Sequence, residues 1–267
     1  MGEKKAVRNH SVEKAFSIIE NMAKVHGSMR LQDIAASCGM PSSTTLRILN
    51  TLEQLGYVVQ SIHDSQYRLS LKFSAISEAV VAQTDLHSII HPYLIKLSAA
   101  CQESSCLAIE QDKAAVYIDV VMGPDTIIRT MQYIGKRAPM HCTGVGKLML
   151  TNLTKEQVDE YISLKGLERF TPHTITMSEQ MHAELSNIVL NGYAVDDEEC
   201  ELGARCLAAP IRNYTGKVIA GISISGPTTR MTMKKFDEVK PIILEMARSI
   251  SSSLGYIGEE DGAKTST

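Results

Sequence analysis

The stretch from Met40 to Gly56, MPSSTTLRILNTLEQLG, constrains this chain more than any other. Pro41 suits the opening of a helix, because the first turn leaves its N–H groups unpaired and a proline has none to lose. Gly56 supplies the stop. Wound as a helix, Leu46, Ile48, Leu49, Leu52 and Leu55 form a broad apolar face that must pack on something. Ser43, Arg47, Asn50 and Gln54 recur at i, i+4, i+7 and i+11 on the other side, with Ser42, Thr44 and Thr45 beside them. None of these is acidic, and each can hydrogen-bond a phosphate or a base edge. A solvated amphipathic helix would show the same pattern as a helix whose back lies in a core and whose front lies in a DNA groove. The flanking sequence favours the groove.

Ser11 is placed to cap a preceding helix, in which Val12, Ala15, Phe16, Ile19, Met22 and Ala23 recur at helical spacing up to His26-Gly27. Leu31, Ile34, Ala35 and Cys38 mark a second, two-turn helix that closes at Gly39, and Cys38-Gly39-Met40-Pro41 turns into the opening stretch. Two short helices joined by a tight glycine-containing turn make a helix-turn-helix. Tyr57–Gln60 and Gln66–Leu69 are β-prone runs around residues 61–65, which predicts a hairpin, the wing. The order predicts a winged helix-turn-helix over residues 1–71 with a double-stranded DNA operator as partner. Its candidate contacts are Ser42, Ser43, Thr44, Thr45, Arg47 and Asn50 on the recognition helix and His63 and Arg68 on the wing. Charge adds little. The 267-residue chain has a net charge of −3, which excludes a polycation; residues 1–85 carry 9 Lys+Arg against 8 Asp+Glu, and the rest 18 against 22.

Leu71–Thr84, LKFSAISEAVVAQT, holds neither Gly nor Pro and reads as a stiff helical connector, assigned to residues 72–85. Asp85 caps a helix over 86–103, which Pro92 should end or kink. Strands are predicted at Cys106–Glu110, Ala115–Val121, Ile127–Tyr133, Ala194–Asp197, Cys206–Arg212 and Lys217–Ser225. Helices are predicted at Gly144–Leu153, Lys155–Leu164, Ser178–Asn191 and Met233–Gly255. Strands flanked by helices on a mixed sheet give an α+β domain over 86–257, followed by a flexible tail over 258–267. Six cysteines without CxxC spacing, with no signal peptide and no membrane-length apolar run, predict reduced thiols in a cytoplasmic protein with no membrane attachment.

Three C-terminal segments carry candidate chemistry. Thr143-Gly144-Val145-Gly146 stands ahead of an apolar helix, where bare backbone N–H groups and the helix dipole favour an anion. The spacing is not that of a nucleotide-phosphate loop, so a carboxylate fits better; alternatively the glycines only permit close packing. Ser223 and Ser225 point to one side of a strand while Ile222 and Ile224 point to the other. If buried, both hydroxyls need partners, which a ligand, backbone or water could supply. Catalysis is the rival reading, with Cys206 as nucleophile, His141 as base and Asp196 as orienter. A buried structural cysteine is the plainer account, with His141 capping a helix or bonding a backbone group. His141, Cys142, Cys200 and Cys206 are zinc-competent types, but no pair of them has chelating spacing. Asp197-Glu198-Glu199 reads as a solvated acidic turn.

The winged helix-turn-helix, the connector, and the segments PMHCTGVGKLML, DDEECELGARCLAAPI and ISISGP together resemble the IclR family of bacterial transcriptional regulators, over about residues 11–256. The resemblance implies a C-terminal effector-binding domain related to the GAF fold, homodimers often paired as homotetramers, and operators near catabolic genes. It also implies effector contacts at Gly144, Val145, Asp196, Cys206, Ser223 and Ser225, with an apolar lining at Ile127, Thr130 and Ala138. Thr130 is polar where the family often has a larger apolar residue, which favours a hydroxylated ligand. The expected protein is a repressor, without enzymatic activity, cofactor or metal, relieved by a small carboxylate such as a 2-oxo acid or sugar acid. An activator of the same architecture is the alternative, and a Cys206-dependent enzyme a more distant one.

Overall fold

The computed structural model describes residues 9–25, 27–83, 85–123, 130 and 132–258. The chain divides into two compact units, Met1–Thr84 and Asp85–Thr267.

The first unit contains α1 (His10–Lys24), α2 (Leu31–Ser37), α3 (Ser42–Gln54), β1 (Val58–Gln60), β2 (Tyr67–Leu69) and α4 (Lys72–Gln83). Its core is Ile18, Met22, Ile34, Leu49, Leu52, Val58 and Tyr67. Helices α2 and α3 end in the same way. Gly39 at φ 61° and Gly56 at φ 80° take the left-handed conformation that side chains resist. The next residue, Met40 or Tyr57, then donates its N–H back to Ala35 or Leu52, and the glycine itself donates to Ala36 or Glu53. β1 and β2 pair antiparallel, and Met29 exchanges both backbone hydrogen bonds with Tyr67 to extend the wing by one rung.

Several local expectations shift. The N-cap of α1 is Asn9 rather than Ser11: the Asn9 amide oxygen accepts from the N–H groups of Ser11 and Val12. Val12 and Phe16 are about half exposed, and Ile18, absent from the predicted stripe, is fully buried. Pro41 stands one residue before α3 and offers its carbonyl to the N–H groups of Thr44 and Thr45. Leu49 and Leu52 carry the buried face of α3, while Leu46 and Leu55 remain at the surface.

α4 is clamped at its start to the end of the recognition helix. The Lys72 ammonium donates to the Leu55 carbonyl at 2.7 Å and lies 4.4 Å from the centre of the Tyr57 ring. The Tyr57 and Phe73 rings are 5.1 Å apart, and the Ser70 hydroxyl donates to the Gly56 carbonyl at 2.6 Å.

The second unit runs α5 (Leu86–Cys101), β3 (Ser104–Gln111), β4 (Ala114–Val121), β5 (Arg137–Ala138), α6 (Gly144–Leu150), α7 (Lys155–Lys165), α8 (Ser178–Asn191), β6 (Ala194–Asp197), β7 (Ala204–Arg212), β8 (Val218–Pro227) and α9 (Met233–Ser253). The sheet order is β5-β4-β3-β8-β7-β6. Every pairing among the described residues is antiparallel, so the expected mixed sheet is corrected. Leu107, Leu207, Ile222 and Ile224 face a core shared with Ile90 and Leu94 of α5 and Val239 and Ile243 of α9. Cys106, Ala108 and Ala208 face the other core, with Val145 and Leu148 of α6 and Met181 and Leu185 of α8. Three layers result.

Pro92 neither ends nor splits α5. Ile90, Leu94 and Leu97 hold the helix on the sheet, and Pro92 itself is exposed. Of the strand expected at Ile127–Tyr133, residues 127–129 and 131 lie outside the described residues, and Thr130, Gln132 and Tyr133 are in no strand. The edge of the sheet is supplied instead by the two-residue β5. α6 starts at Gly144, the predicted bound, so Gly144 and Gly146 lie inside the helix rather than in a loop ahead of it. A Cβ on Gly146 would come within 2.4 Å of the Met140 Cα, and one on Gly144 within 3.1 Å of the Ala208 Cβ. Close packing accounts for both glycines. Among the described residues no helix is long and apolar enough to cross a membrane.

Candidate nucleic-acid interface and effector cavity

The polar face of α3 is open. Ser42, Ser43, Arg47 and Asn50 are exposed and Thr44 is half-buried. The first turn carries no acidic residue, so the positive end of the helix dipole is not neutralised there. Among the described residues no carboxylate pairs with Arg47 or with Arg68, and the one acidic side chain of α3, Glu53, is used on the wing, where it accepts the Gln60 N–H. His63 at the wing tip and Arg68 on β2 are exposed. Thr45 is the exception to the expected set. It is fully buried, and its hydroxyl donates to the Pro41 carbonyl at 3.2 Å, so it closes the first turn from inside and faces no groove.

In the second unit, Asp196 pairs with Cys206 across β6 and β7, and Cys206 with Ser225 across β7 and β8. Directly paired residues share a face, so the three form one polar rung on the α6 side of the sheet. The rung walls a cavity of about 50 Å³, together with Thr130, Gln132, Lys136, Ala138, Thr143 and Arg205. Of the expected effector contacts, Thr130, Ala138, Asp196, Cys206 and Ser225 therefore come together. Ile127 lies outside the described residues. Gly144, Val145 and Ser223 are not in the wall: the Val145 side chain is fully buried in the core against Gly221, and Ser223 sits one pleat further along β8, paired with Ala208 and Cys106.

Polar atoms in and beside this cavity are poorly satisfied. Among the described residues, Gln132 Oε1 and Ser223 Oγ are buried without a hydrogen-bonding partner, and the groups beside Ser223 are the thiols of Cys106 and Cys206, which are weak partners at best. Thr130 donates to the Ser225 carbonyl at 3.3 Å. Asp196 accepts from the N–H groups of Glu199 at 2.9 Å and Cys200 at 3.2 Å. Burial nonetheless outweighs these two bonds and pushes its carboxyl up to about 6.

Burial likewise pushes the Cys206 thiol up to about 12, which leaves almost no thiolate at neutral pH. His141 bonds the Glu168 carbonyl at 3.0 Å and stacks on Phe170, the plain backbone role. Among the described residues, His141, Cys142, Cys200 and Cys206 do not assemble into a group of three metal ligands.

One feature escaped the sequence reading. Lys147, on the otherwise apolar α6, is fully buried, and its ammonium contacts Glu184 of α8 at 2.8 Å and Glu199 at 2.5 Å. Burial opposes the charge, but Glu199 and Glu184 outweigh it and hold the lysine's pKa above its ordinary value. Glu199, expected in a solvated turn, is thus inside, with its second oxygen unpartnered among the described residues; of the three acids, Asp197 is the one fully at the surface. The lone lysine in GVGKLML was the available signal. The turn 196–200 therefore touches both features: Asp196 on the cavity holds the turn's N–H groups, and Glu199 grips α6.

A winged helix-turn-helix with an open polar recognition face, on a chain whose second unit encloses a polar cavity, defines a DNA-binding transcriptional regulator. Comparison with known proteins agrees. The IclR helix-turn-helix domain matches residues 11–61, and the domain described as bacterial transcriptional regulator IclR C-terminal matches residues 78–252. The chain is 32% identical over 247 residues to the transcriptional repressor IclR of Escherichia coli, covering 92% of this chain and 90% of that protein. It is 31% identical over 247 residues to the acetate operon repressor of Salmonella typhimurium, with the same coverage. Among solved structures, the Thermotoga maritima IclR is similar at 30% identity and a TM-score of 0.61, over 92% of this chain and 99% of that one. The chain belongs to the IclR family of bacterial transcriptional regulators, and it is a regulator rather than an enzyme.

Proposed function

We propose that this protein is a repressor of catabolic genes whose operator affinity is set by a small carboxylate, a 2-oxo acid or sugar acid, held in the Asp196–Cys206–Ser225 cavity. The observation that carries the reading is Asp196, an acid kept buried at a cost to stability on the wall of a polar cavity. An asparagine would hold the same turn without that cost, so the carboxyl is retained for something other than folding. Lys136 supplies positive charge for the ligand's carboxylate, while Asp196, Thr130 and Ser225 suit its hydroxyl or oxo groups; the Arg205 guanidinium is engaged by Asp197 and the Met231 carbonyl. Two of the similar proteins named above are repressors, one of them of the acetate operon.

The DNA-binding reading assigns Ser43, Arg47 and Asn50 to base edges, and Ser42, Thr44 and the start of α3 to phosphate. His63 and Arg68 go to the backbone or minor groove. Residues 1–71 act as the reader, 72–85 as the connector and 86–257 as the sensor. A homodimer or homotetramer presents paired recognition helices to a near-palindromic operator. The cavity has room for only one or two waters, at about 30 Å³ each. A three-carbon acid enters only if a wall segment moves outward, and the 196–200 turn, tied to α6, is positioned to respond. Effector and operator then bias each other's binding by the same factor.

Thermal unfolding of the whole protein against a panel of 2-oxo acids, sugar acids and neutral analogues tests this. A true effector at 100 times its dissociation constant stabilises the native state by roughly 2.7 kcal/mol. The gain should vanish in Asp196→Asn and Ser225→Ala. Stabilisation by neutral or cationic compounds alone would overturn the carboxylate assignment.

A further inference from the structure

We infer that His87, His91 and Asp119 form a binding site for a divalent transition-metal ion of the zinc class, on the opposite face of the sheet from the cavity. His87 and His91 stand four residues apart in the first two turns of α5, so their rings share one side of the helix, stacked at 5.2 Å and 21°. Asp119 reaches them from β4. Its side chain is 3% exposed, and its Oδ2 lies 2.7 Å from His91 Nδ1 and 3.4 Å from His87 Nε2. One ligand atom from each residue falls within 4.8 Å of the other two.

Tetrahedral zinc, with bonds of about 2.0–2.2 Å, sets its ligand atoms roughly 3.3–3.5 Å apart. The His87–Asp119 separation already has that value, and the His91–Asp119 pair needs to open by roughly 0.7 Å, a small side-chain rotation. A hydrogen bond from His91 alone would satisfy the buried carboxylate. It leaves unexplained why a second, half-exposed imidazole is held in a stack against the same oxygen. The His182–Asp159 pair, at 2.8 Å, shows the plain arrangement, one imidazole on one carboxylate.

The donor set selects the ion. Two imidazoles and a carboxylate suit zinc, cobalt or nickel, whereas calcium and magnesium demand oxygen ligands. His87 and His91 are 50% and 40% exposed, so an ion can enter from solvent and complete its coordination with water. Bound there, it would tie the first two turns of α5 to β4, three residues after the end of α4. The site is independent of the effector reading.

Chelator-stripped full-length protein titrated with Co²⁺ tests the assignment. The expected result is one ion per chain, with a visible d–d band of four-coordinate intensity that Zn²⁺ displaces, and a Zn²⁺-dependent rise in Tm. His87→Ala and His91→Ala should each weaken binding at least tenfold, and His182→Ala should leave it unchanged. Asp119→Asn should weaken it likewise, and if that variant fails to fold, the two histidine variants decide the matter alone. Absence of the band, a band that survives both histidine substitutions, or an intense thiolate charge-transfer band that reports cysteine ligation would overturn the site.

Discussion

The two units place their polar side chains in opposite ways. In the first, the core is apolar apart from Thr45 among the described residues, and the groups suited to DNA stand on the surface of α3 and the wing. In the second, Lys147, Asp196, Glu199, Ser223 and Ser225 are all buried. DNA is a large ligand met at a surface, where polar groups cost nothing to display. A small ligand has to be enclosed, and polar groups set aside for it lose their water and are only partly repaid. The second unit gives up stability that the first keeps.

The sharpest way to break this comparison is at Lys147. Lys147→Met leaves Glu184 and Glu199 facing each other without their cation, and should destabilise the protein by about 3–5 kcal/mol in denaturant unfolding. A loss below about 1 kcal/mol would mean that the triad is internally relaxed and the contrast overstated. Asp196→Asn should do the reverse. The carboxyl titrates near 6 in the fold against 3.8 ordinarily, so ionising it costs stability in full above pH 6, and the cost fades as pH falls towards 4. The variant should therefore gain up to about 3 kcal/mol at pH 7 and nothing near pH 4. A loss at pH 7 would show that the charge, not just the acceptor, holds the 196–200 turn.

Effects in the first unit should be smaller and should fall on binding. Arg47→Ala is expected to weaken operator binding by about 1–3 kcal/mol with little change in Tm. An equal loss on random DNA would make Arg47 a phosphate contact. Thr45→Val should cost about 1 kcal/mol of stability, for the lost bond to Pro41, and leave operator affinity unchanged. A drop in affinity without a drop in stability would return Thr45 to the interface.

How well each unit could be read from its sequence follows from the same contrast. The reading unit is built from neighbours: helical periodicity, two glycine stops and a hairpin, all within 70 residues, so its elements were legible. What misled there was local too, since Asn9 outcompeted Ser11 as cap and a threonine inside a polar run turned inward. In the second unit, α8 and β6 have the predicted bounds; hydrophobic period marks both, and Gly192, in the left-handed conformation, stops α8. The partners of Lys147 lie 37 and 52 residues away, and Asp119 lies 28 residues beyond His91. No periodicity reports such distances. The polar rung could be assembled only residue by residue from a family resemblance, and the antiparallel register then showed which members share a cavity.

The clamp between α3 and α4 has a practical meaning for protein engineering. Lys72 and Phe73 belong to the connector by sequence, yet they grip the Leu55 carbonyl and the Tyr57 ring at the tail of the recognition helix. A chimeric regulator that borrows its DNA specificity from this chain should therefore be spliced beyond Phe73. A junction placed at the end of the wing, after Leu69, would leave the graft's α3 with a bare carbonyl terminus and a Tyr57 ring without its cation. The borrowed recognition helix would then lose the contacts that fix its end.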